Sequence, residues 1–139
     1  IAGIIDHRHE HNNPTSLETY ELALGIVIAE LREHLAEFAR PGDLVHLIAE
    51  SRGASEDLAL ELAFNRIISG VRIGDYMTGD PEARFRWAIV FADKRSNSAG
   101  LQVADLVARP LGLDYLNPTQ PNHAAEIINA KEPRIIAWP

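Results

Sequence analysis

Phe91-Ala92-Asp93-Lys94-Arg95-Ser96-Asn97-Ser98-Ala99-Gly100-Leu101-Gln102-Val103-Ala104-Asp105-Leu106-Val107-Ala108-Arg109-Pro110 is the stretch from which the fold is read. An apolar, strand-like run ends at Ala92 in a polar turn, and the turn opens a short helix. Leu101, Val103, Ala104, Leu106, Val107 and Ala108 make that helix apolar around most of its circumference. Gln102, Asp105 and Arg109 stand at i, i+3 and i+7 and so share one face. A helix of this kind is expected to be largely buried, and Asp105 at least half buried with it. A carboxylate in such a place needs a cation, a metal or several hydrogen-bond donors. The polar stripe is therefore the expected centre of a site.

Working outward, residues 87–92 read as a strand, and so do two earlier apolar runs, 1–5 and 44–49. Between the first two strands, Pro14 and a Thr15-Ser16-Leu17-Glu18 capping box announce a helix. Leu17, Tyr20, Leu24, Val27, Ile28, Leu31, Leu35 and Phe38 carry it at three- and four-residue steps, for about 25 residues or roughly 38 Å. Pro41-Gly42 ends it. Glu50-Ser51-Arg52-Gly53 is a turn, and Ser55 is the expected cap of a second helix with Glu56 and Asp57 in its first turn. That helix runs to about Ser69-Gly70. Residues 71–86 are punctuated by Gly74, Gly79, Asp80 and Pro81, and a connection that long is expected to hide a short strand or cover a site. After Pro110, a last helix is expected over about residues 122–131. Strands alternating with helices predict one α/β or α+β layered domain around a small, mostly parallel sheet, with sites where strands end and helices begin. Two such ends carry chemistry: Glu50, and Asp93-Lys94.

The chain's 139 residues are 46% hydrophobic and 24% charged, which suits one globular domain. With no cysteine, disulfides and thiolate metal sites are excluded. The apolar runs fall far short of a membrane span and no signal peptide is visible, so a cytoplasmic protein is expected. The net charge is −7, from 13 Lys and Arg against 20 Asp and Glu. Proteins that grip nucleic-acid backbone are usually basic, so the charge does not support a phosphate-driven interaction. A surplus of carboxylates that bind divalent cations and a surface adapted for solubility account for it equally well.

Glu50, Asp57, Asp93 and Asp105 are the carboxylates expected to converge. Hard cations such as Mg²⁺ take oxygen ligands, often one or two carboxylates plus water and substrate phosphate. The competing reading pairs Glu50 and Asp57 with Arg52, while Asp105 pairs with Lys94 or caps backbone. Lys94 and Ser96 could cradle an anion at the helix start, or be turn residues with Ser96 or Ser98 as cap. His7, His9 and His11 would share one face of an extended segment and could bind Zn²⁺ or Ni²⁺, but no distant ligand is evident and an exposed, His-rich loop is the favoured reading. Trp87 and Phe91, with Ile89 between them, read as core rather than as a base-stacking platform.

Glu50-Ser51-Arg52-Gly53 with Asp57, followed by Asp93-Lys94-Arg95-Ser96 and Gly100-Leu101-Gln102-Val103-Ala104-Asp105-Leu106, resembles the domain of unknown function 3800 family. That family joins a Glu-x-Arg-Gly … Asp element after one strand to Asp-Lys-x-Ser-x-x-x-Gly-Leu-Gln-x-Ala-Asp-Leu after a later one. The resemblance implies a ribonuclease-H-like three-layer α/β fold, a small mostly parallel mixed sheet flanked by helices, that gathers acidic residues around divalent metal. Mobile-element or phage-defence settings are associated with it. Carried over, Glu50, Asp105 and Asp57 become candidate ligands for Mg²⁺ or Mn²⁺. Glu50, Asp105 and Lys94 become candidate catalytic residues, and Arg52, Ser96 and Gln102 candidate substrate contacts. The family's opening strand with Asp-Glu-Ser-Gly has no counterpart before Ile1, so the chain reads as a domain truncated at its N-terminus.

The function expected is a metal-dependent phosphodiesterase on nucleic acid, with Arg52 holding Glu50 or Asp57 in place. The rival is a non-catalytic interaction domain of the same fold, its acidic cluster structural or partner-binding, and a third reading is a zinc hydrolase at the histidines. No membrane partner is expected, and a homodimer is left open.

Overall fold

The computed structural model describes residues 2–5, 16–70, 72–73, 76–77, 84–96, 98–133 and 135–138. The histidine cluster, and Thr15 of the expected capping box, lie outside them. Strand β1 (Ala2–Ile5) precedes helix α1 (Ser16–Phe38), strand β2 (Leu44–Glu50) and helix α2 (Ala54–Ile68). Two short strands follow, β3 (Arg72–Ile73) and β4 (Tyr76–Met77), then β5 (Arg86–Ala92). A 3₁₀ turn at Lys94–Ser96 leads into α3 (Ala99–Leu116), α4 (His123–Asn129) and β6 (Ile135–Trp138). The fold is α/β, as expected. The expected single sheet is instead three pairs among the described residues: β1 with β6 and β2 with β5, both parallel, and an antiparallel β3–β4 hairpin. The long connection thus does hide strands. The strand β6 was not expected, since Ile135-Ile136-Ala137-Trp138 is too short a run to stand out.

The β2–β5 pair is the frame of the site. Leu44 stands opposite Arg86 and the register continues without a break to Glu50 opposite Ala92. Arg86 N–H donates to Asp43 and Ser51 N–H to Ala92, each 2.9 Å, which extends the ladder at both ends. Parallel strands need a crossover, and here α2 provides it. Gly42, at φ +89°, makes the reversal after α1 that starts β2; a side chain there would be strained.

The core lies where α1 and α2 cover one face of this pair. Ile28, Phe64 and Ile67 are buried, with Leu24, Leu47, Ile68, Trp87 and Ile89 packed around them. Trp87 and Ile89 are therefore core residues, and the edge of the Phe85 ring meets Trp87 at 6.2 Å between centroids. An Arg66–Glu21 ion pair also ties α2 to α1. The single apolar stripe expected of α1 is too narrow. Ile26 is as buried as Ile28, yet the two stand roughly 200° apart around the axis. The physical reason is that α1 packs on α2 and also on β1. Tyr20 and Phe38, expected in the stripe, are exposed.

Helix α3 departs most from expectation. It does not end at Pro110 but continues to Leu116. Proline removes one helical hydrogen bond and crowds the preceding turn. The burial of Leu111 and the packing of α3 on α4 outweigh that cost. Asn122 Nδ2 also donates to the Pro110 carbonyl (2.9 Å), while its Oδ1 caps α4 by accepting from Ala125 N–H (3.1 Å). The N-terminal half of α3 is open: Val103 is 58% and Leu106 71% exposed. Asp105 is therefore exposed, not half buried. Among the described residues no helix is long and apolar enough to cross a membrane.

Candidate functional site

The parallel register brings the two chemistry-bearing strand ends to the same edge. Because Glu50 is opposite Ala92, the Asp93–Ser96 turn follows directly beside it, and Lys94 Nζ lies 3.8 Å from Glu50 Oε1. Lys94 is 85% exposed, so this pair contributes little to stability and the ammonium can swing to another anion. The competing expectation that Lys94 pairs with Asp105 is not met. Asp105 makes no ion pair or hydrogen bond with a described side chain, which leaves its carboxylate free to take a ligand. It stands on α3, which touches β2.

After β2 the chain enters a locked turn. Asp57, in the first turn of α2, accepts from Ser51 Oγ (2.6 Å) and from Arg52 N–H (2.9 Å), one bond to each carboxylate oxygen. The Ser51 hydroxyl, then the Arg52 backbone N–H, hold the Asp57 carboxyl below its ordinary value of 3.8. Its carboxylate fixes the backbone that follows Glu50. Ser55 does not cap α2; Gly53 occupies that place at φ +126°, a conformation that suits glycine. A methyl there would also meet Glu56 Oε2 at 3.3 Å.

The Asp57 lock has a signed pH dependence. An acid with a lowered folded value contributes stability above its unfolded value of 3.8, and that contribution is lost as pH falls through the lowered value. Thermal midpoints followed from neutral pH down to about 3 should show wild type well above Asp57→Asn at neutrality, the gap closing at the acid end. A gap that stays constant with pH would contradict the lock.

Among the described residues the Arg52 side chain pairs with no carboxylate; only its backbone N–H meets Asp57. Its Nη1 donates to the Tyr20 hydroxyl (2.5 Å) and its guanidinium carbon lies 5.2 Å from the Tyr20 ring centroid. Tyr20, Glu50, Arg52, Ser55, Glu56 and Asp57, over a floor of Ala49, Ala59 and Leu60, line an open cleft of about 640 Å³. Tyr20 is the residue that sequence reasoning missed. It falls in the apolar period of α1, and only its hydroxyl, which needs a polar neighbour, sets it apart.

The remaining expected residues, Asp93, Ser96 and Gln102, do not line this cleft. Asp93 accepts two side-chain bonds from Arg95 and one from the Arg95 N–H, which hold its carboxyl below the usual range. It is a turn-forming group, separate from the cleft lining. Ser96 closes that turn by donating its N–H to the Asp93 carbonyl (2.8 Å) and is exposed. Ser98 stands at the N-cap of α3, without a side-chain capping bond. Gln102 lies exposed in the first turn, its N–H on the Ser98 carbonyl.

No group of three or more His, Asp or Glu side chains gathers as a metal site among the described residues. The expected convergence of Glu50, Asp57, Asp93 and Asp105 as one cluster is thus not seen there. Hard oxygen donors with open coordination remain at Glu50 and Asp105, and one or two carboxylates suffice for a cation that keeps most of its waters. Compared with protein-family models, curated proteins and solved structures, the chain matches none.

Proposed function

We propose that the chain is a ribonuclease-H-like domain, similar to the domain of unknown function 3800 family, and a divalent-metal-dependent phosphodiesterase acting on nucleic acid. The observation that carries this reading is the parallel β2–β5 register, which sets Glu50 and Lys94 side by side at the carboxyl ends of two strands. Open α/β sheets collect their ligands at that edge. The α2 crossover and the helix that follows β5 agree with the same layout.

In this reading Glu50 and Asp105 would hold Mg²⁺ or Mn²⁺. An ion held there would supply Lewis acidity toward water and charge neutralisation of the phosphate. Lys94 sits loosely on Glu50 and turns to the phosphate as negative charge builds on it. Ser96 and Gln102, exposed at the start of α3, contact the strand beyond the scissile bond. Asp57 keeps the Glu50 backbone in place through Ser51 and Arg52, and is a positioning residue rather than a ligand.

A second reading, a non-catalytic interaction domain, is favoured by exposed apolar side chains, Val103 and Leu106 on α3, Ile48 on β2 and Val90 on β5. Metal titration separates the two. A cation that binds only the folded protein stabilises it by about 2.7 kcal/mol at a hundred times its dissociation constant. The thermal midpoint should therefore climb with Mg²⁺ or Mn²⁺ concentration and not with matched NaCl. A midpoint indifferent to both divalent ions would favour the interaction domain.

A further inference from the structure

We propose that Tyr20 and Arg52 form a stacking clamp for one unpaired base of a single-stranded nucleic acid. The proposal rests on the phosphodiesterase reading for why such a strand approaches Glu50, but its geometry is independent of metal. Tyr20 projects from α1 and is 47% exposed, although a tyrosine in the apolar period of a helix would ordinarily be packed away. What it packs against is Arg52, from the turn after β2. The Nη1–Oη bond and the 5.2 Å approach hold the guanidinium beside the ring. Two planar groups from separate elements are thus pre-ordered, and both are exposed.

The cleft chooses the occupant by charge. Its lining carries three carboxylates, Glu50, Glu56 and Asp57, against the single guanidinium of Arg52. Without a bound cation, a phosphate placed there would be repelled, whereas a neutral flat heterocycle is not. Ala49, Ala59 and Leu60 give it an apolar bed. Ser55 and Glu56 at the rim offer a hydroxyl and an acceptor to the polar edge of a base. A volume of about 640 Å³ is ample for one base with its sugar at the mouth. The backbone of the strand then stays outside, toward Lys94. Stacking on aromatic and guanidinium planes is sequence-tolerant and requires the base to be unpaired. Such an interaction also suits a chain of net charge −7, which cannot draw its affinity from phosphate neutralisation.

The test is fluorescence anisotropy of a labelled oligothymidylate with the whole chain in chelator, so that no cleavage intervenes. The single strand should bind at least about tenfold more tightly than the matching duplex, or than the same backbone with abasic sites in place of bases. Oligouridylate in parallel separates RNA from DNA as the source of the base. Tyr20→Ala and Arg52→Ala should each weaken the intact strand by about tenfold and leave the abasic strand unchanged, while Tyr20→Phe keeps most of the binding. Unchanged thermal midpoints establish that these exposed-site variants are folded. Equal affinity for intact and abasic strands, or no loss in Tyr20→Ala, would overturn the clamp. So would displacement of the strand by free thymidine at equal concentration, which would make the site one for a mononucleoside. Since binding is read without metal, failure of the clamp and failure of metal-dependent cleavage appear in separate measurements.

Discussion

Asp105→Asn is expected to lower metal-stimulated cleavage by on the order of 10²-fold or more while leaving the protein folded. A hundredfold loss corresponds to about 2.7 kcal/mol of transition-state stabilisation, a reasonable share for one of two ligands to a catalytic cation. Asparagine keeps the shape and one oxygen but gives up the charge that a hard cation requires. The stability side of the prediction follows from placement. Asp105 is exposed and bonded to no described side chain, so its substitution should alter stability by no more than about 0.5 kcal/mol. The midpoint rise with Mg²⁺ or Mn²⁺ should shrink in the same variant. Glu50→Gln should behave alike in activity. An Asp105→Asn protein with full metal-stimulated turnover would remove Asp105 from the site and the phosphodiesterase reading with it.

Phe64→Ala is expected to be the most destabilising single change, at about 3–5 kcal/mol. Phe64 is 2% exposed and belongs, with Ile28 and Ile67, to the cluster that joins α1 and α2 to Trp87 and Ile89 of β5 and Leu47 of β2. Truncation there leaves a hole bounded by two helices and both strands, and such a site cannot collapse without moving all four. The loss should lower the thermal midpoint by about 10 °C or more. Leu106→Ala, which removes a comparable apolar side chain that is 71% exposed, should leave the midpoint nearly unchanged. A similar drop for both variants would mean that α3 is covered in solution and that the core assignment is incomplete.

The elements set by local chemistry were readable from the chain. Pro41-Gly42 ends α1 because proline bars the helix from continuing and Gly42 takes the positive φ that the reversal needs. The strand ends at Ala49 and Ala92 follow from the change between apolar run and polar turn, and β2 runs one residue further, to Glu50. What could not be read was decided by distant partners. Asp105 was expected to be buried because its helix is apolar nearly all round. Periodicity shows which residues could be buried but not which half of a helix finds a neighbour, and α3 is buried at Leu111 rather than around Leu106. The same packing carries it through Pro110, against the local rule. Arg52 was assigned to a carboxylate since two stand close in sequence. Its real partner, Tyr20, is 32 residues away, and no local pattern announces it. Ser55 lost the cap to Gly53 because Asp57 pins Ser51 and Arg52, which fixes the turn two residues earlier.

The parallel ladder has a kinetic side. Paired residues of β2 and β5 are separated by about forty positions of chain, so the ladder must close a large loop before its hydrogen bonds repay the entropy. The α1–α2 cluster holds both strands to one surface and shortens that search. Glu50 and Lys94 meet only at the final rung, where Ser51 bonds to Ala92. The candidate site therefore stands at the end of the ladder, where strands open more readily than a packed core. It is among the first features that a fraying of the strand ends would take apart, long before the core noticed.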